Sequence, residues 1–251
     1  MQVVLKSLIF VLLIGSVLSQ GHGPRKPEEF YARGVVRLEQ GDLEGAMADF
    51  NKAIEILPKY SAAIAARAAV KKAQGDLDGA LADYGRAIEL TPEIAIPYYS
   101  RGFILLERKD FDAAIKDFDK AIALQPDLAI VYRNRGDARR AKGDAAGAIA
   151  DYDKVLELEP ANAGVFFERG ALRQAQLDLA GAIVDYSKAI EIKPDFADAY
   201  AERGLIRLAQ RSDEEAEKDF ARYLELKKDG KDYLEQRIKY VRYQRDKKPK
   251  P

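Results

Sequence analysis

Proline recurs at a strict interval of 34 residues, and this interval limits the possible folds more than any other feature of the sequence. The recurring prolines are Pro58, Pro92, Pro126, Pro160 and Pro194. Three other columns keep the same interval: small residues from Gly34 to Gly204, alanines from Ala46 to Ala216, and aromatic residues from Phe50 to Phe220. A fixed period of this length predicts an array of similar units, each of which packs on its neighbours instead of enclosing its own core.

The composition favours an ordered helical protein and excludes several kinds of chemistry. Of the 251 residues, 47% are apolar and 33% are charged, which is typical of a soluble folded chain. The 41 basic and 41 acidic residues balance, which argues against nucleic-acid binding through a broad basic surface. Cysteine is absent and His22 is the sole histidine, so no disulfide framework, thiol nucleophile or histidine-based site can lie within the repeats.

The N-terminal residues 1–19 have the pattern of a secretory signal peptide. Lys6 precedes an apolar run, Ser7–Leu18, and small residues at Val17 and Ser19 suit cleavage before Gln20. The run is shorter than the roughly 20 residues that span a bilayer. We therefore predict export, with residues 20–26 as a flexible leader; retention of the segment as an anchor is the alternative.

Each 34-residue unit contains two helical stretches, A and B. The predicted units are 27–60, 61–94, 95–128, 129–162, 163–196 and 197–230. Gly-Asp pairs such as Gly41-Asp42 separate the stretches, because glycine ends helix A in the left-handed conformation and aspartate caps helix B. The recurring proline is expected to end helix B.

These columns resemble the tetratricopeptide repeat, whose pattern is W-x2-L-G-x2-Y, then A-x3-F, then P. The resemblance implies an all-α, right-handed α-solenoid of six helix-turn-helix repeats, in which the A helices line a concave groove. The repeats also resemble alanine-rich bacterial arrays, which implies a bacterial protein of the exported type, and residues 1–19 with the absence of cysteine predict a periplasmic or secreted location. The chain departs from the pattern where Phe30 replaces tryptophan, Arg33 replaces leucine, and Lys228 replaces the last proline.

Arginine and aspartate form two further columns that occur together in all six repeats. The arginines are Arg33, Arg67, Arg101, Arg135, Arg169 and Arg203. The aspartates are Asp49, Asp83, Asp117, Asp151, Asp185 and Asp219. We predict that they pair at a helix–helix contact, in which case Arg135→Leu would destabilise the fold by more than about 2 kcal/mol. Two independently solvated columns are the alternative.

The sequence has no recognisable catalytic motif. A nucleophile elbow, a phosphate-binding loop and an H-E-x-x-H helix are all absent. The segment Asp76-Leu-Asp78-Gly79 resembles the start of a calcium loop but lacks its later ligands. We predict a protein that is not an enzyme and has no cofactor and no metal site.

The resemblance places positions 2, 5, 6, 9 and 12 of each repeat on the groove. The candidate peptide-binding residues are Tyr31, Val35, Leu38, Ile96, Tyr99, Phe103, Leu106, Arg133, Asn134, Arg140 and Phe167. This groove would be apolar towards the N-terminus, basic in the middle and acidic towards its end, and such an apolar patch with arginine anchors is typical of a binding surface. Alternatively, Tyr99 and Phe103 only pack against neighbouring helices.

The periodicity stops after Gly230. Residues 231–251 are predicted to form an amphipathic capping helix, with Tyr233, Ile238 and Val241 on its apolar face, and a basic tail. The segment carries eight basic and three acidic residues. Contact with anionic lipid or an acidic partner is one interpretation of these charges, and a solvated tail is the other.

The leading hypothesis is an exported scaffold that binds a protein or peptide segment in its groove and catalyses no reaction. A structural module that assembles with itself is one alternative, and a regulatory partner of an envelope enzyme is another. The sequence leaves the partner and the oligomeric state open.

Overall fold

The structure is a computed structural model that describes residues 26–247. The predicted signal peptide, the leader up to residue 25 and residues 248–251 lie outside the described range. Within that range the chain is entirely helical, with thirteen α-helices and one short 3-10 turn at Lys228–Gly230. No described residue lies in a strand, which confirms the predicted all-α class.

The chain divides into two compact units, Met1–Pro126 and Asp127–Pro251. Helices of the first unit are α1 Pro27–Glu39, α2 Leu43–Ile56, α3 Ser61–Ala73, α4 Leu77–Leu90, α5 Ala95–Glu107 and α6 Phe111–Leu124. Helices of the second are α7 Ala129–Ala141, α8 Ala145–Leu158, α9 Ala163–Ala175, α10 Leu179–Ile192, α11 Ala197–Ala209, α12 Asp213–Leu226 and α13 Lys231–Asp246. Odd-numbered helices from α1 to α11 are the predicted A helices, and each packs against the B helix that follows it.

Each A helix is followed, two residues after its end, by a residue with a left-handed backbone. Gly41 has φ +79°, and the two other glycines at this position, Gly75 and Gly143, have φ +84°. Lys109, Leu177 and Arg211 take the same conformation with φ between 63° and 66°, although they carry side chains. The Asp42 N–H donates to the Arg37 carbonyl at 2.9 Å, and this six-to-one bond recurs at the other turns. The closing hydrogen bonds therefore hold the turn even where glycine is missing.

Replacing Leu177 with glycine is expected to stabilise the second unit by about 0.5–1 kcal/mol. A left-handed residue with a Cβ is strained, and Leu177 is 82% exposed, so its side chain contributes little packing. Chemical denaturation followed by circular dichroism measures the gain. Leu177→Ala keeps the Cβ and should give no such gain; equal stabilisation by both variants would contradict this explanation.

An aspartate caps five of the six B helices, as predicted. Asp42, for example, accepts a hydrogen bond from the Gly45 N–H at 2.8 Å, and equivalent bonds form at Asp76, Asp110, Asp144 and Asp178. Ser212 stands at this position in the last repeat and makes no side-chain cap bond.

Five B helices end two residues before the recurring proline, as predicted, and the sixth ends at the same position without one. Helix α12 ends at Leu226, the position equivalent to Ile56 in the first repeat, although Lys228 replaces the proline. Lys227 has φ −138° and ψ 78°, close to the φ −127° and ψ 87° of Leu57 before Pro58. Proline therefore favours this ending but is not required for it.

Glycine in the A helices allows the aromatic ring of helix B to approach directly. A Cβ built on Gly204 would lie 2.6 Å from Cε1 of Phe220, and one on Gly136 would lie 2.8 Å from Cε1 of Tyr152. The aromatic column therefore packs directly on the glycine column. These rings form the centre of each repeat's core.

All six predicted arginine–aspartate pairs form, each within one repeat. Arg101 donates from Nε and Nη2 to both carboxylate oxygens of Asp117 at 2.7 Å, and the other repeats have the same pair. The aspartates are buried, while the arginines are partly exposed. Burial raises the pKa of Asp83, but hydrogen bonds from Arg67 and Lys71 outweigh it, so this pKa is lowered overall.

A second cation joins most of these pairs, and the arginine often reaches the preceding repeat. Four residues after the paired arginine stands a basic residue that bonds the same aspartate, as Arg207 does with Asp219 at 2.7 Å. In repeat three that position is Leu105. Arg169 also donates to Asp153 of the preceding helix B at 2.5 Å. The column therefore stabilises both the helix pair and its junction with the previous repeat.

The terminal helix α13 packs against α11 and covers the last repeat, which confirms the predicted capping helix. Its anchor is Leu234, which is 1% exposed and contacts a cluster that includes Leu205, Leu208 and Phe220. Ile238 and Val241 pack at the edge of the cluster. The prediction was wrong for Tyr233, which is 59% exposed. Leu234, and not its neighbour, occupies the buried stripe of the helix.

Candidate functional site

The exposed face of the A helices is the candidate site, and it differs between the two units. In the first unit, Tyr31, Val35 and Leu38 of α1 occupy the same repeat positions as Tyr99, Phe103 and Leu106 of α5. All six side chains are partly exposed. Ile96 also lies on α5 and is 59% exposed. Large apolar side chains therefore border solvent along both helices.

Between these helices, α3 presents four alanines and one terminal lysine on the same face. Its residues at these positions are Ala62, Ala65, Ala66 and Ala69, followed by Lys72 at the end of the row. Ala65 and Ala66 pack against the same core clusters as Tyr31, so the helices are neighbours. We call this surface the apolar trough: α1 and α5 form its walls, and the alanines of α3 form its floor. The sequence analysis did not single out the floor, although the 34-residue register makes it visible.

Lys72 is the cation of the apolar trough. Its Nζ lies 3.9 Å from the centre of the Phe103 ring, a cation–π contact between α3 and α5. Within residues 26–247, Lys72 forms no salt bridge. The apolar surface therefore carries one positive charge whose contact in the described structure is an aromatic ring.

Several predicted residues also pack inside the fold. Tyr31 packs in tilted contacts against Tyr60 and Phe50, with ring centres 5.3 and 6.0 Å apart, and burial raises the pKa of Tyr31. Tyr99 lies 6.3 Å from Phe118. The aromatic walls therefore combine core packing with partial exposure, so the two alternatives left open by the sequence are not exclusive.

In the second unit the A-helix face is polar, and its charges pair with each other. Arg133 of α7 donates to Glu168 of α9 at 2.9 Å. Arg140 and the Tyr152 hydroxyl both donate to Asp137, at 3.3 and 2.6 Å. Burial, followed by the hydrogen bond with Asp137, raises the pKa of Tyr152. The predicted basic centre is therefore largely neutralised within the unit.

The polar network continues to the terminal helix. The Tyr186 hydroxyl donates to Gln174 at 2.7 Å, and Gln174 donates to Glu202 at 3.4 Å. Arg237 of α13 pairs with the same carboxylate. Burial is the main cause that raises the pKa of Tyr186. The sequence analysis missed Arg237, Gln174 and the hydroxyls of Tyr152 and Tyr186. Their partners lie on other helices, and the number of residues between partners differs from pair to pair.

The remaining predicted residues of this unit are less accessible. Asn134 is buried, at 7% exposure. Phe167 packs between Tyr186 and Phe196 with ring centres 5.5 and 4.9 Å away. The binding role of the eleven predicted residues stays a prediction, and the exposed apolar members concentrate in the first unit.

Two clefts flank the terminal helix. One of about 460 Å³ is lined by Leu205, Ile206, Tyr233, Arg237 and Tyr240, among others. The other, of about 630 Å³, lies between α12 and α13 and is lined by Phe220, Leu224, Leu234 and Ile238 with charged residues around them. Neither includes residues of the apolar trough.

Among residues 26–247, no group of three or more histidine, cysteine or acidic side chains is arranged to hold a metal ion. No helix in this range has the length and apolar character needed to cross a bilayer.

Family models for the tetratricopeptide repeat match at residues 27–60 and 95–128, and a further model described as a TPR repeat matches at 68–107, 136–176 and 178–210. The chain belongs to the tetratricopeptide repeat family. Tetratricopeptide repeats generally act as non-catalytic protein-interaction modules, so family membership supports a protein–protein interaction scaffold.

Solved structures show the same fold. A crystal structure of MamA is 26% identical, with a TM-score of 0.61, and the match covers 65% of this chain and 95% of that one. The pilF protein of Pseudomonas aeruginosa is 21% identical, with a TM-score of 0.68 and coverage of 85% and 97%. YrrB, described as a TPR protein with an unusual peptide-binding site, is 20% identical, with a TM-score of 0.61 and coverage of 68% and 88%. No curated protein matches the sequence.

Proposed function

We propose that this chain is a non-catalytic scaffold that binds a segment of a partner protein on the A-helix face, and that it acts in the cell envelope after export. The observation that carries the proposal is the apolar trough. Its walls leave aromatic and aliphatic side chains partly exposed, whereas the helix-B aromatic residues such as Phe50 and Phe118 are fully buried. Exposed apolar surfaces of this kind favour protein contacts.

Two further points support a binding role. The buried ion pairs and the glycine–aromatic contacts account for the residues that recur in every repeat, so those residues act in the fold. The A-helix residues that vary between repeats are free to set the specificity. YrrB, a structural relative, is itself described as having a peptide-binding site.

Export is supported by the charge and apolar pattern of residues 1–19. Protein purified from its host's envelope fraction should have an intact mass that begins at Gln20. A mass that includes Met1 would support the alternative of a retained anchor.

Affinity capture from envelope extract tests the binding role. Tyr99→Ala with Phe103→Ala removes two aromatic rings from a wall of the trough. Arg133→Glu reverses one charge on the A-helix face of the second unit. If the A-helix face binds the partner, at least one variant should lower capture by about ten-fold or more, the size of effect seen when hot-spot residues are truncated. Melting curves of each variant exclude loss of fold.

Lys120→Ala is the matched control for this experiment, because Lys120 is exposed on helix α6 away from the A-helix face. Capture that is unchanged in both face variants would contradict the proposal. Absence of any partner, combined with a mass in solution that rises with concentration, would favour the self-assembling alternative.

A further inference from the structure

We propose that the apolar trough binds an amphipathic helix of a partner protein, with an acidic residue of that helix placed at Lys72. The inference rests on the proposed scaffold function and specifies its ligand. Its basis is the chemistry of the first unit's A-helix face: apolar walls, a floor without polar groups, and a cation without an anionic partner among residues 26–247.

The lack of polar side chains on the alanine floor of the trough favours a helix over an extended peptide. An extended segment laid on α3 would place its backbone N–H and C=O groups against alanine methyl groups and aromatic rings. Buried backbone groups without partners are costly. A helix bonds its own backbone and presents only side chains, so it can enter an apolar surface without this penalty.

The small floor residues allow a helix to approach. Helices that pack in contact have axes about 8–10 Å apart, depending on the side chains between them, and alanines permit the short end of that range. The alanines of the floor allow a bound helix to lie close to α3, and the walls of Tyr31 and Phe103 would then contact its sides.

Lys72 sets the charge of the occupant. Its ammonium group is held over the Phe103 ring at the end of the trough, and the Lys72 side chain is itself only partly exposed. A carboxylate on the bound helix would pair with this ammonium group, whereas a basic residue would be repelled. The expected ligand therefore has apolar residues at i, i+3, i+4 and i+7, and an aspartate or glutamate at one end of that stripe.

Selection from a phage-displayed library of random 16-residue peptides, on protein purified as its host processes it, tests the proposal. Enriched peptides should show the helical apolar stripe, an acidic residue and no central proline. Their synthetic, fluorescein-labelled forms should bind Ala69→Glu about ten-fold or more weakly than the unchanged protein, because a charged side chain then stands on the floor. Binding to Lys72→Met should fall about three-fold, as expected for a partly exposed ion pair.

Two controls make the result specific. Ala171→Glu carries the same change at the same repeat position in the second unit, where Ala171 is exposed, and it should bind the peptides as the unchanged protein does. A peptide whose acidic residue is replaced by its amide should not distinguish Lys72→Met from the unchanged protein.

Enrichment of proline-rich or basic peptides, or of peptides that bind Ala69→Glu equally well, would overturn the proposal. So would the absence of any enriched peptide. If a captured partner were then lost on Arg133→Glu, the scaffold function would hold and the trough would not be its site; if no face variant affected capture, the scaffold proposal itself would fail.

Discussion

Replacing Arg101 with leucine is expected to lower the free energy of unfolding by about 3 kcal/mol or more. Asp117 is buried, and among the described residues Arg101 is its only cationic partner, because Leu105 occupies the position of the second cation. Removing one partner of a buried ion pair leaves an uncompensated charge, which costs more than the pair itself contributes. Urea denaturation followed by circular dichroism, with hydrogen exchange of α5 and α6, measures the loss.

Arg203→Leu is the informative comparison. Arg207 still donates to Asp219 in that variant, so the free energy of unfolding should fall clearly less than it does in Arg101→Leu. Lys188→Ala, which removes an exposed pair with Glu191, should leave the denaturation midpoint unchanged. Equal losses for Arg101→Leu and Lys188→Ala would show that the arginine column contributes no more than solvated charge.

Replacing Leu234 with alanine is expected to cost about 2–4 kcal/mol, the range for a buried leucine truncated to alanine. Leu234 is the only buried side chain of α13 within Lys231–Asp246, and it enters the cluster beneath the terminal helix. In the Leu234→Ala variant, amide hydrogen exchange should increase more along α13 than along α9 or α10, because Leu234 is the main contact that holds α13.

Tyr233→Ala separates this account from the one that the sequence suggested. The Tyr233 ring is 59% exposed, so its truncation should change the free energy of unfolding by no more than about 0.5 kcal/mol. A loss as large as that of Leu234→Ala would restore Tyr233 as the anchor and contradict the observed packing.

Most of the fold could be predicted because the same residue pattern recurs in six repeats. The aspartate caps, the helix pairs and the arginine–aspartate contacts follow from residues that keep one register through six units. Arg33 and Asp49 are separated by 16 residues in every repeat, so one correct pairing predicts all of them.

The features that the sequence did not reveal depend on single repeats. Leu177 is left-handed where the turn glycine is missing, and α12 ends at Leu226 where the recurring proline is missing. Hydrogen bonds set the backbone at both places. Leu234 and Tyr233 are adjacent, and only the rotation of α13 about its axis decides which one is buried. Two neighbouring positions with similar apolar character give no basis for that choice.

The location of the candidate site on the A helices could be predicted from the sequence, but the pairing of its charged side chains could not. The register placed Tyr99 and Phe103 on the A-helix face, but it could not show that Arg133 pairs with Glu168 or that Arg140 pairs with Asp137. Pairs between helices depend on side-chain direction as well as spacing. The floor of the apolar trough was overlooked because alanine carries no chemical signal until its neighbours are known.

Site-specific photocrosslinking in the host cell tests the central claim most directly. A benzophenone amino acid at Phe103 lies on the wall of the trough, and the same probe at Lys120 lies exposed on helix α6. We predict a crosslinked partner protein for the probe at Phe103 and none for the probe at Lys120. Crosslinks from Lys120 alone, or equal crosslinks from both positions, would contradict the assignment of the A-helix face as the binding surface.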